Sequence, residues 1–241
     1  RIASGIVGGI LLIALGSLRP LQDLRWVPAA LEGAGIVALY AAIWASAKLA
    51  DLISPITAFP LMAAVTALAC WLSIRRNELL TAVLALAGGF ATPILLSTGS
   101  DNPIGLFGYL LLLDLGLLFV GARQRWPSLG LLALIGTAIF EAFWLLTSMD
   151  GDRMLLGLGI LMVFALLFAF ALNRPSTAQT TISRITQMSA VLFPFAFALY
   201  FAASVQFGAH LLPTAGMLAL LAAGSCWIDR RRDAGYLPLG T

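Results

Sequence analysis

Short polar breaks cut this chain into nine apolar runs, at residues 2–18, 27–47, 56–74, 79–97, 104–122, 128–148, 154–172, 185–205 and 211–228. Each is close to the ~20 residues that a helix needs to cross a hydrocarbon core. Lipid offers the backbone no hydrogen-bond partner, so runs of this length satisfy their amides internally, as helices. The expected fold class is all-α, a polytopic integral membrane bundle of nine transmembrane helices. The basic residues orient it. Arg19, Arg25, Arg75, Arg76, Arg123, Arg125, Arg174, Arg184, Arg230, Arg231 and Arg232 fall on one side of the alternating runs. Only Arg1, Lys48 and Arg153 fall on the other. Short loops rich in Lys and Arg stay cytoplasmic, which predicts an outside N-terminus and a cytoplasmic C-terminus.

The tryptophans give an independent check. Trp26, Trp71, Trp126 and Trp227 sit at inner ends of runs, and Trp44 and Trp144 near outer ends. Such amphipathic rings favour the membrane interface. An apolar fraction of 61% with only 10% charged residues excludes an ordinary soluble domain, where about a quarter of residues are charged. The net charge of +3 is spread over the inner loops with no basic, aromatic-studded face, so no nucleic-acid partner is expected. The lipid bilayer is the expected surrounding. Cys70 and Cys226 lie near inner ends without paired spacing, and His210 is the single histidine. No disulfide, metal site or cofactor follows from that set.

The chain opens on Arg1 with an apolar run already under way, and it is expected to be an internal piece of a longer protein. Residues 1–241 read as one transmembrane domain. The Ser/Thr/Pro-rich break at 173–184 offers a subdivision into a seven-helix front part, 1–172, and a rear helix pair, 185–228. Pro28, Pro103, Pro127 and Pro213 stand at helix starts, where a missing N–H costs nothing. Pro60, Pro93 and Pro194 lie inside runs and are expected to kink or unwind their helices. A faint repeat of 48 positions carries Phe59, Arg75, Leu84, Leu86 and Gly88 onto Phe107, Arg123, Leu132, Leu134 and Gly136. Gly5 and Gly9 form a GxxxG pair, and Gly33, Gly35, Gly157 and Gly159 also fall within runs, where small residues let helices approach closely.

The most specific local sequence runs Gly88-Gly89-Phe90-Ala91-Thr92-Pro93-Ile94-Leu95-Leu96-Ser97-Thr98-Gly99-Ser100-Asp101-Asn102-Pro103. Its glycine pair and Thr-Pro step predict an irregular outer half of the fourth helix, opening into a polar turn. With Leu106-Phe107-Gly108-Tyr109-Leu110 and Leu132-Ala133-Leu134-Ile135-Gly136-Thr137, it resembles the multi-spanning bacterial membrane proteins known as domain of unknown function two-three-three-nine. The resemblance covers residues 31–137. It implies a much longer inner-membrane protein with further transmembrane segments of the same chain, and it implies no reaction. Asp114 and Glu32 depart from the pattern expected of that family.

Three carboxylates fall within the runs. Glu32 is near an inner end, Asp114 is close to the bilayer midplane, and Glu141 is roughly 10 Å from the outer end at about 1.5 Å per residue. No Lys or Arg lies within a run to pair with them. Intramembrane acids mark ion, proton or polar-substrate routes, or else hydrogen-bond a neighbouring helix. The candidate polar site therefore comprises Glu141, Asp114, Thr92, Ser97, Thr98, Asp101 and Asn102, with Glu141 expected to face the bundle interior. No catalytic triad, phosphate-binding loop or metalloprotease motif can be drawn. The leading expectation is a transport-like module for a polar or lipid-linked solute, working at an outer-half site. A non-catalytic scaffold of an envelope complex, with other envelope proteins as partners, stands beside it. An intramembrane enzyme acting on lipid-linked substrate comes third.

Overall fold

The computed structural model describes residues 2–18, 27–97, 102–148, 153–172 and 181–203, with a few positions between 215 and 223. The described residues form eight α-helices and no strand: α1 (Ile2–Gly16), α2 (Val27–Lys48), α3 (Pro55–Arg76), α4 (Leu79–Leu95), α5 (Pro103–Gln124), α6 (Pro127–Thr147), α7 (Met154–Leu172) and α8 (Thr181–Ala203). The all-helical expectation holds. Among the described residues, α2, α3, α5, α6 and α7 are long and apolar enough to cross a membrane. The helices α1 and α4 are apolar but shorter, at 15 and 17 residues. Seventeen residues reach about 25 Å, somewhat less than the ~30 Å core. Most of the expected ninth run, 211–228, lies outside the described residues.

Local sequence explains where the helices start and stop. Ser54 and Asn102 cap α3 and α5, their side-chain oxygens accepting from the amides of Thr57 at 3.3 Å and Gly105 at 3.0 Å. Pro55 and Pro103 follow at the first helical position. Both helices end in a left-handed residue, Asn77 (φ 56°) and Arg125 (φ 59°), which turns the chain straight into the next helix. The repeat is visible here as geometry. An offset of 48 positions carries Pro55 to Pro103, Arg76 to Gln124, the cap Ser54 to Asn102 and the left-handed Asn77 to Arg125. The next helix end at the same spacing is Leu172.

The chain divides into two compact units, Arg1–Leu129 and Gly130–Thr241, with the boundary inside α6. In the first, α1 packs along α2, α2 on α3 and α4, and α3 and α4 on each other and on α5. The glycines set the α1–α2 distance. A Cβ at Gly35 would lie 2.6 Å from the Gly9 carbonyl, and one at Gly9 would lie 2.9 Å from Leu39. Gly33 faces the other way, toward Leu84 of α4. The core between α2, α3 and α4 is built on Ile36, Met62, Ala58, Ala69 and Ala85. The second unit holds most of α6 and the packed pair α7–α8. Leu158, Leu161, Ala165 and Phe168 form the buried face of α7 at helical spacing.

Candidate functional site

A polar cluster lies within the first unit, among α2, α3, α4 and α5. Pro93 has no N–H to offer the carbonyl four residues earlier, that of Gly89. The Tyr109 hydroxyl donates to this carbonyl at 2.9 Å. The irregular stretch expected at 88–93 is therefore not found: α4 is a continuous helix from Leu79 to Leu95. A side chain from α5 replaces the donor that the proline removed, so the backbone need not unwind. The helices α3 and α8 likewise run through Pro60 and Pro194.

The rest of the cluster is equally self-contained. The Thr66 hydroxyl donates to the Met62 carbonyl at 3.1 Å, so the Tyr40 hydroxyl is the donor in its own bond to Thr66. The Tyr40 ring lies against Gly88, where a Cβ would collide with it, and Leu113 lies against Gly89. The glycine pair thus provides the flat surface on which α2 and α5 pack. Phe59 meets the Tyr109 ring edge-on, with centroids 4.6 Å apart.

The expected site residues distribute over this framework as follows. Thr92 is fully buried, and its hydroxyl donates to the Gly88 carbonyl of its own helix at 2.8 Å. Asn102 is the α5 cap. The Ser97 carbonyl accepts from Lys48 Nζ at 2.7 Å, which ties the ends of α2 and α4 together. Thr98 and Asp101 lie outside the described residues. Asp114 is fully buried on the face of α5 that also carries Leu110, Leu113 and Leu117. Glu141 belongs to the second unit, where it is 3% exposed, one turn beyond the buried Thr137.

Sequence reasoning missed the most strongly charged arrangement. Glu32 is fully buried, and Arg76 Nη2 donates to its Oε1 at 2.8 Å and to the Gly16 carbonyl at 2.7 Å. No Lys or Arg lies within an apolar run, yet Arg76, just past the end of the third run, reaches Glu32. The pairing comes from α3, whose last residue turns inward beside the ends of α1 and α2. The Ser17 hydroxyl approaches the same oxygen at 3.4 Å. Gln124, equivalent to Arg76 in the repeat, donates to the Ile74 carbonyl at 2.7 Å. Each of these two side chains ties its helix end to the end of an earlier helix. No signal in the sequence distinguishes Arg75 from Arg76 as the inward residue. The Tyr40 and Tyr109 hydroxyls were open to discovery, because a buried phenol needs a partner.

Long apolar helices, close-packed glycines and polar side chains bonded between helices define a polytopic helical membrane protein. The chain belongs to the DUF2339 family, described as a predicted membrane protein, whose model matches residues 1–240. No curated protein and no solved structure matches it.

Proposed function

We propose that this chain is a non-catalytic scaffold module of a cytoplasmic membrane, with the Arg76 end facing the cytoplasm. One observation carries the reading. Three of the expected site residues described in the first unit, Thr92, Ser97 and Asn102, have polar groups already engaged in helix structure. Thr92 bonds its own helix, Asn102 caps α5 and the Ser97 carbonyl holds Lys48. The charge pattern supports the orientation. Arg75, Arg76, Arg123 and Arg125 lie at the same ends of the alternating helices, and Lys48 lies at the opposite end.

A transport-like role is the second reading, favoured by the buried Asp114 and Glu141, since acids within spans mark ion and proton routes by default. Proteoliposomes of the purified chain, loaded with a pH-sensitive dye, separate the two. The scaffold reading expects proton flux equal to that of protein-free vesicles. Flux above that baseline, abolished by Glu141→Gln or Asp114→Asn, would put transport ahead.

A further inference from the structure

The Arg76 end of the first unit holds a cleft of about 160 Å³ lined by Ser17, Leu72, Arg75 and Arg76. We infer that this cleft binds a phosphate group, and that its position favours the phosphodiester of an acidic lipid headgroup as the source. The inference stands whether the module is a scaffold or a transporter.

The donors are in place. Arg76 spends Nη2 on Gly16 and Glu32, which leaves the Nη1 and Nε donors of a guanidinium that these bonds hold still. Arg75 is exposed, and its guanidinium lies 5.3 Å from the centre of the Trp71 ring, within cation–π range. Among the described residues no carboxylate pairs with Arg75. Glu32 neutralises Arg76 from behind, fully buried and outside the cleft wall, and Glu78 does not line the cleft either. Among the described residues the cleft is therefore net cationic. Guanidinium forks match phosphate oxygens in geometry as well as charge.

Size and position narrow the ligand. A volume of 160 Å³ is below the roughly 300 Å³ at which metabolite pockets begin, and it suits a single small anion. Trp71 is 53% exposed one turn before Arg75, in the manner of an interfacial ring. The repeat carries this pair onto Phe119 and Arg123, also an exposed aromatic one turn before an arginine. Two such pairs at equivalent helix ends mark the level at which headgroup phosphates lie. Only the first adjoins the cleft.

The test uses the full chain purified in a neutral detergent. Short-chain phosphatidylglycerol, phosphatidylcholine and inorganic phosphate are added separately, with bound ligand counted by native mass spectrometry. The expected result is retention of phosphatidylglycerol over phosphatidylcholine, whose choline the arginines repel. Arg75→Gln should weaken retention by roughly tenfold or more, as loss of a charged hydrogen bond does. Arg123→Gln, the same charge change away from the cleft, should leave it unchanged. Inorganic phosphate binding as well as phosphatidylglycerol, with the same dependence on Arg75, would keep the phosphate site and assign it to a soluble source. Equal retention of the two lipids, no binding of any of the three, or indifference to Arg75→Gln would overturn the inference. Among the described residues Arg75 makes no hydrogen bond or ion pair, so its substitution leaves the Glu32–Arg76 pair in place.

Discussion

Glu32 and Arg76 show how one residue decides between a liability and a fastening. A carboxylate at 0% exposure is costly unless a cation and hydrogen bonds compensate it, and Arg76 supplies the cation and a hydrogen bond to Oε1 while also closing the Gly16 carbonyl. Removing one partner strands the other. Glu32→Ala should therefore destabilise the chain by about 3 kcal/mol, whereas the joint replacement Glu32→Leu with Arg76→Met should cost far less, because no buried charge is left alone. Unfolding midpoints in detergent read both. A single variant as stable as the double one would show that the pair holds nothing. Tyr109 plays a comparable part in neutral form, since its hydroxyl meets the one carbonyl in α4 that Pro93 cannot serve.

At the scale of elements, that exchange is what keeps α4 helical. The proline and the tyrosine are expected to be energetically coupled, which a double-mutant cycle measures. Tyr109→Phe alone should cost about 1 kcal/mol, by leaving the Gly89 carbonyl without a donor in a dry setting. In a Pro93→Ala background an amide returns to that carbonyl and the same change should cost little, giving a coupling of about 1 kcal/mol. Additive effects would show that the hydroxyl does not substitute for the amide. The hairpins α3–α4 and α5–α6 share proline starts, polar caps and left-handed ends at one constant offset, so the repeat extends from residue identity to backbone form. Where the two diverge, at Arg76 against Gln124, the described ion pair and cleft involve the end of α3 and not the end of α5.

For the molecule as a whole, membrane orientation is the property still to be measured. Single cysteines at positions 48 and 123, probed on intact cells with an impermeant thiol reagent, should label at 48 and not at 123, because the arginine-rich ends are expected to be cytoplasmic. The reverse pattern would invert the topology. Helix class, most helix limits, the small residues that let helices approach closely and the 48-position offset were legible in the sequence, because lipid forces backbone bonding to be local and so leaves its record in runs of consecutive residues. Partners were not. Which of Arg75 and Arg76 turns inward, which hydroxyl meets the carbonyl left by Pro93, and that the Ser97 carbonyl holds Lys48 all depend on residues at least 20 positions apart. Such pairings exist only once neighbouring helices are brought within hydrogen-bonding distance, so the tertiary structure alone decided them.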